Sequence, residues 1–238
     1  MWGIMRGTAS NVFHFVMIKP SHYDDDGYPI QWIRSAIPSN TLACLNALAE
    51  DARRRDVLGP GVEFRLHAYD ETNRRVRPDR IIRTIRKSGG RALIALVGVQ
   101  SNQFPRAVDL ARPFLAAGLP VCAGGFHVSG CIAMLPELPD DLKAAQAMGI
   151  SFFAGECEDG RLNEVLQDGA HAISSAHTRQ AHNGRGLQHG SRQRLPLPVL
   201  ILHHHQRARP QESLPRPGGR RKNHSRKSRA EHQLLHHH

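Results

Sequence analysis

The sequence stretch that could most readily serve a ligand is Gly124-Gly125-Phe126-His127, which follows a short apolar run. Glycines after a buried strand let the backbone approach a ligand without a Cβ atom in the way. The first amides of a following helix can face an anionic or amide-rich group. A tight turn from strand to helix, with His127 on the surface, explains the same residues. The spacing is not G-x-G-x-x-G, so it does not predict a nicotinamide cofactor.

Two acidic groups could also do chemistry. Asp24-Asp25-Asp26 has the composition of a site for a hard cation, but a solvated capping loop explains it as well. Glu156 and Glu158 would lie on one face of an extended segment, as paired catalytic carboxylates would. The sequence supplies no nucleophile or leaving group for them. We therefore predict no catalytic residue.

The elements that must position these residues alternate between strand and helix. Strands are predicted at residues 13–20, 63–69, 92–99, 119–123 and 150–154. Helices are predicted at 39–55, 79–87, 105–117 (with a kink or break at Pro113), 128–135, 139–148 and from 161 onward. This alternation predicts an α/β protein with a doubly wound, five-stranded parallel sheet, flavodoxin-like or Rossmann-like, in the order 2-1-3-4-5. Such sheets bind ligands beyond the carboxyl ends of their strands.

Four segments together resemble a known family: MIKPSHYDDDGYPIQW, LVGVQSN, VCAGGFHVSG and ISFFAGECEDG. Over about residues 13–168 they resemble the amino-terminal cobalamin-binding domain of cobalamin-dependent radical S-adenosylmethionine enzymes. The resemblance implies the same five-stranded fold, with cobalamin lying across the carboxyl edge of the sheet. The residues that we predict on this basis to bind the cofactor are Gln100, Ser101, Gly124, Gly125, His127, Gly155 and Glu156.

The chain departs from the related cobalamin domains at one motif. Methyltransferases and mutases carry D-x-H-x-x-G after the first strand, where the histidine ligates cobalt, and Ser21–Gly27 does not match it. His22 remains the candidate cobalt ligand because neutral imidazole is a common metal ligand. A solvated loop histidine is the alternative.

Charge divides the chain near residue 169. Residues 1–169 carry 19 basic and 19 acidic residues, whereas residues 170–238 carry 13 basic and 2 acidic ones and no aromatic residue. We predict an N-terminal extension (1–12), a cobalamin-binding-like domain (13–169) and a disordered Arg-, His- and Pro-rich tail (170–238). A basic tail can bind nucleic acid non-specifically through phosphates. The alternative function is therefore a flavodoxin-like binding protein with a nucleic-acid-binding arm.

The tail also suggests a shift in reading frame. Radical enzymes of this family hold a [4Fe–4S] cluster and S-adenosylmethionine through C-x-x-x-C-x-x-C, and this chain has no cysteine after Cys157. Residues 195–206 (LPLPVLILHHHQ) can be back-translated so that reading one base later gives CPFQCSFC. We hypothesise that a one-base shift near residue 169 placed the rest out of frame. The chain would then bind cobalamin at most, while the cluster and S-adenosylmethionine belong to intact relatives.

The remaining composition excludes several classes of protein. The longest apolar runs, such as Ala92–Val99, are too short to span a bilayer, and we expect no signal peptide in the first residues. The four cysteines form no C-x-x-C pair, which favours reduced, buried thiols in a cytoplasmic protein. A third function, a small α/β enzyme acting through His127, has no nucleophile in the sequence to accompany it.

Overall fold

The computed structural model describes residues 11–32 and 39–182. Its five strands are β1 (Val12–Lys19), β2 (Glu63–Asp70), β3 (Arg91–Leu96), β4 (Val121–Gly124) and β5 (Ile150–Phe153). All pairings are parallel and the order is β2-β1-β3-β4-β5, which confirms the predicted sheet. Strand β1 lies between β2 and β3 and places Met17 opposite Ala68 of β2 and Ala95 of β3. Strand β3 ends earlier than predicted, and Gly98 turns the chain beyond it with a φ of +63°.

Helices connect the strands on both sides of the sheet. They are α1 (Asn40–Arg54), α2 (Pro78–Lys87), α3 (Phe104–Ala116), α4 (Phe126–Met134), α5 (Asp140–Met148) and α6 (Arg161–His182). The hydroxyl of Ser39 accepts a hydrogen bond from the amide of Leu42 and so caps α1. Helix α3 runs through Pro113 without ending there, so the predicted break does not occur, while the alternative of a kink stays a prediction.

Each face of the sheet is buried by its own helices, because successive side chains of a strand point to opposite faces. Phe13, Phe15 and Met17 of β1 join α1 and α6 in one core. Val16 and Ile18 face the other core, which α2, α3, α4 and α5 complete. The helices therefore cover both faces and leave the carboxyl edge of the sheet to the loops.

One prediction about the rest of the chain is corrected. Helix α6 continues through His182, so the backbone of residues 170–182 is helical where the start of a disordered tail was expected. Its first residues pack on the core: Ala170 contacts the core beneath α6, and a Cβ on Gly169 would lie 3.0 Å from Leu93. Residues 183–238, with the predicted nucleic-acid arm and the LPLPVLILHHHQ segment, lie outside the described residues, as do 1–10 and 33–38.

The cysteines are all free thiols. Cys122, Cys131 and Cys157 are partly buried, whereas Cys44 lies exposed on α1. The prediction of buried thiols is therefore wrong for Cys44, because its position in α1 faces away from the core residues Ala49 and Ala52.

Candidate functional site

The loops that follow β3, β4 and β5 lie side by side at the carboxyl edge, because these three strands are neighbours in the sheet. We call these loops the β3–β5 rim. It gathers seven of the eight residues predicted to bind a cofactor or cobalt. They are Gln100, Ser101, Gly124, Gly125, His127, Gly155 and Glu156. Gln100, Ser101, Gly155 and Glu156 are exposed, so the rim presents an amide, a hydroxyl, bare backbone and a carboxylate to solvent.

The glycine pair has an internal packing role. Gly125 has a φ of +142°, and a Cβ there would lie 2.2 Å from the amide nitrogen of Val99. The Val99 amide donates to the carbonyl of Gly124 (3.1 Å), and the His127 amide donates to the carbonyl of Val99 (3.1 Å). The sequence predicts that the backbone at Gly125 approaches a ligand closely, and in the structure it approaches the loop after β3 instead. Binding of a ligand by these two glycines remains a prediction.

His127 is held at both ring nitrogens. Its Nε2 lies 2.9 Å from Oδ2 of Asp141, and its Nδ1 lies 3.1 Å from the hydroxyl oxygen of Ser101. The ring also packs against Phe104, with centroids 4.7 Å apart, and its side chain is 13% exposed. In neutral His127, a proton on Nε2 would be donated to Asp141, which leaves Nδ1 to accept the Ser101 proton. This arrangement fixes the orientation of the imidazole and polarises Ser101.

A thiol adds to the surroundings of His127. The Sγ of Cys131 lies 3.9 Å from Nδ1 of His127, one turn along α4. Burial raises the pKa of the Cys131 thiol, and the charge of Asp141 raises it further. The protonated thiol is thus favoured beside the imidazole, and Ser101 is the better-placed hydroxyl nucleophile.

The outer end of the rim is braced by Arg161. Its Nη2 donates to the carbonyl of Ala154 (3.1 Å), and its guanidinium lies 5.2 Å from the ring centroid of Phe153. A Cβ on Gly155 would lie 2.7 Å from Nη1 of Arg161. The amide of Gly155 donates to the hydroxyl of Ser129 (3.1 Å). The tip of Arg161 could move aside, so it is the φ of +94° that favours glycine at this exposed position.

His22 lies apart from this group in its contacts. It follows β1 in a loop closed by a bridge between Tyr23 and Pro29, and its carbonyl accepts the amide of Ile30 (2.9 Å). Within residues 11–32 and 39–182, its imidazole makes no hydrogen bond to a rim residue, and no three His, Cys, Asp or Glu residues group as metal ligands. Nothing in the described part of the chain gives His22 the surroundings of a preformed metal site.

Sequence reasoning missed a second polar cluster at this edge. Glu71, which is 0% exposed, accepts two bonds from Arg106 of α3: Nη2 to Oε1 at 2.6 Å and Nε to Oε2 at 3.0 Å. The amide of Ser21 also donates to Glu71 (3.2 Å). Tyr23 completes the cluster by donating to Asp109 (2.6 Å) while accepting from Arg106 (3.3 Å). The polar loop after β2 was recognisable in the sequence, but nothing there indicated that Glu71 would pair with Arg106, 35 residues away.

The pKa values in this cluster follow from its contacts. Burial would lower the pKa of Arg106, but its bonds to Glu71 and Tyr23 outweigh burial and raise the pKa above the usual value. Burial raises the pKa of Tyr23, and donation to Asp109 adds to this. Arg106 is therefore a permanent cation and Tyr23 a neutral phenol near neutral pH. The cluster joins the β1 and β2 loops to α3.

No family model, curated protein or solved structure matches this chain. The structure itself defines the class of protein, which is α/β with a parallel sheet in the flavodoxin-like order. None of the helices in the described ranges combines the length and apolar character that a bilayer crossing requires.

Proposed function

We propose that the chain is a cobalamin-binding module and that the β3–β5 rim holds the corrin ring. The observation that carries the proposal is the grouping of the seven predicted residues on the loops of three adjacent strands. Adjacent strands lie about 4.8 Å apart, so these loops present a face about 10 Å wide. A platform of that width with polar side chains and bare backbone suits a flat ring rimmed by amides.

The residues at the rim fit such a ligand in their chemistry. Gln100 and Ser101 can exchange hydrogen bonds with the ring's peripheral amides, and the exposed backbone at Gly155 admits close contact. His127 would act by holding Ser101 in place, because both of its nitrogens already have partners. His22 would be the cobalt ligand that the sequence predicts, because neutral imidazole is a common metal ligand. When bound, cobalamin would supply its ability to carry and transfer a methyl group.

A titration of hydroxocobalamin into the full chain tests this proposal. Binding should change the visible spectrum, and Ser101→Trp, which covers the rim, should raise the Kd at least tenfold. Ala47→Trp on the exposed side of α1 is the matched control and should bind like the parent. Absence of a spectral change at near-millimolar cobalamin, or equal binding by Ser101→Trp, would contradict the proposal.

A second candidate function is hydrolysis of a small ester. The observation that favours it is the array of Ser101, His127 and Asp141, which supplies the nucleophile that the sequence did not reveal. The hydroxyl oxygen of Ser101 would attack the ester carbonyl while Nδ1 of His127 takes its proton. His127 would then protonate the departing alcohol, and water would release the acid from the acyl-serine by the same route. The two ring nitrogens exchange the roles they have in serine proteases.

Turnover of p-nitrophenyl acetate separates the two candidates. If the array is catalytic, Ser101→Ala and His127→Gln should each remove most of the activity, as in other triads. Thr84→Val, which removes an exposed hydroxyl from α2, should keep it. Asp141→Asn should lower kcat and alter its dependence on pH. Equal turnover by the parent and by Ser101→Ala would eliminate the hydrolytic candidate without affecting cobalamin binding.

A further inference from the structure

The segment from the end of the β2 loop through α2 concentrates positive charge. Residues 74–87 hold seven basic residues and one acidic residue, Asp79. The basic residues are Arg74, Arg75, Arg77, Arg80, Arg83, Arg86 and Lys87, all of them exposed. The other residues in the range 1–169 comprise twelve basic and eighteen acidic ones, so the neutral total of that range conceals a strong separation of charge. We call this exposed set the α2 basic surface.

The helix fixes the orientation of this surface. Ile81, Ile82 and Ile85 are buried in the core, so α2 is anchored by one face. Arg80, Arg83 and Lys87 follow the i, i+3, i+7 spacing on the opposite face, where helical residues become neighbours. At 1.5 Å per residue they span about 10 Å. This is a row of three cations on a rigid element.

These cations lack the partners that other arginines of the protein have. Exposed Arg53, Arg55 and Arg112 each form an ion pair with a carboxylate three or four residues away, at 2.7–3.3 Å. Within residues 11–32 and 39–182, none of the seven basic residues of the α2 basic surface forms an ion pair. Within this segment only Asp79, which lines the larger depression, carries an opposing charge, so the surface keeps a large net positive charge that favours an external polyanion.

The surface is also concave. Two adjoining depressions of about 290 Å³ and about 470 Å³ are both lined by Arg75, Arg77 and Arg80. The smaller depression includes the half-buried ring of Tyr69, with Ile81 beneath it. An aromatic ring among arginines offers a surface on which a nucleic-acid base can stack.

We propose that the α2 basic surface binds single-stranded nucleic acid. The row of Arg80, Arg83 and Lys87 contacts successive phosphates, and the depression at Tyr69 receives one nucleotide. Six of the seven cations are arginines, whose planar guanidinium binds phosphate through two hydrogen bonds and stacks on bases. This site is built from other residues than the β3–β5 rim, since its lining comes from Tyr69, the loop after β2 and α2.

An anionic membrane is a poorer partner for this surface. A helix that lies in a membrane interface pairs its cations with exposed apolar side chains. In the described ranges, the large exposed apolar residues are on other elements. They are Tyr28, Trp32, Phe126, Met134 and Leu135. The apolar residues of α2 face the core instead.

Fluorescence anisotropy with a labelled 20-nucleotide single strand tests the proposal on the full chain. The triple variant Arg80→Gln, Arg83→Gln, Lys87→Gln should weaken binding at least tenfold at low salt. It should also reduce the slope of log K against log salt by about 2, since each phosphate contact on a single strand contributes about 0.7. Circular dichroism should show the fold unchanged, because these side chains are exposed.

Two charge-matched variants make the result specific. Arg53→Gln, Arg55→Gln, Arg112→Gln removes three cations from other helices, and Arg220→Gln, Arg221→Gln, Lys222→Gln removes three from the basic tail. Both should retain most of the parent affinity. The proposal would be overturned if either control lost as much affinity as the α2 variant, or if the α2 variant bound the strand as tightly as the parent. It would also be overturned if the parent bound phosphatidylserine vesicles more tightly than the strand. Tyr69→Leu should lower affinity with little change in the salt slope, which identifies stacking.

Discussion

The guanidinium of Arg106 donates two hydrogen bonds, of 2.6 and 3.0 Å, to the carboxylate of Glu71. The side chain of Glu71 is 0% exposed and that of Arg106 is 18% exposed. The pair joins α3, which follows β3, to the loop after β2, so it spans strand β1, which lies between β2 and β3. It therefore ties the loop after β2 to α3 at the carboxyl edge.

Arg106→Leu should lower the free energy of unfolding by about 3–5 kcal/mol, because it leaves a buried carboxylate without its cation. Denaturation by urea at neutral pH measures this loss. Arg112→Leu, which breaks the exposed pair with Asp109, should cost about 0–1 kcal/mol. Equal losses in the two variants would show that the buried pair has no special role.

A pair of stacked histidines should make stability depend on pH. His14 is buried, its Nδ1 lies 2.9 Å from Nε2 of His67, and its Nε2 lies 2.8 Å from the hydroxyl of Ser88. Burial, with the charge of His67, lowers the pKa of His14 from 6.5 to about 4. The unfolded chain therefore takes up a proton first as the pH falls. Neutral His14 therefore contributes on the order of 3 kcal/mol to the free energy of unfolding. This contribution is complete above pH 6.5 and is lost as the pH falls towards about 4.

Urea denaturation between pH 7.5 and pH 4 checks this dependence. His14→Leu should flatten the profile in that window, whereas Thr84→Val, which removes no titratable group, should keep the parent's slope. A profile for His14→Leu as steep as the parent's would refute the assignment to His14.

Gly125→Ala should destabilise the protein by about 2–5 kcal/mol. A φ of +142° is reserved for glycine, and the new Cβ would collide with the backbone of Val99 at 2.2 Å. Gly130→Ala is the matched control in α4: nothing lies within 4 Å of its Cβ, and the helix should gain about 0.5–1 kcal/mol. Thermal denaturation of both variants gives the comparison, and a mild effect at Gly125 would mean that the β3 and β4 loops can separate cheaply.

The thiols should react with Ellman's reagent at very different rates. Burial raises the pKa of Cys122 to about 12 and of Cys157 to about 11, so their thiolate fractions are small at neutral pH. Exposed Cys44 should supply the fast phase, and Cys44→Ser should abolish it. A fast phase that survives Cys44→Ser would place the reactive thiol elsewhere.

Local sequence patterns were sufficient for the elements and their order. Ile81, Ile82 and Ile85 lie on one face, where they can be buried together, only in a helix. Right-handed connections between parallel strands leave few possible strand orders in the sheet. The same patterns placed the predicted rim residues at the ends of adjacent strands. Element ends were less well predicted, as at β3, since they depend on single backbone turns such as Gly98.

The types of residue at the carboxyl edge follow from the sequence alone, whereas the contacts of each residue follow from the tertiary structure. Ser101, His127 and Asp141 are up to 40 positions apart, and only the adjacency of β3, β4 and α5 brings them within 3.1 Å. Glu71 and Arg106 meet for the same reason. Helical and strand periodicity acts over a few residues, whereas a hydrogen bond between loops depends on how whole strands and helices pack. The chemistry that a histidine or a glycine can perform is therefore evident from the sequence, but the residue that it contacts is not.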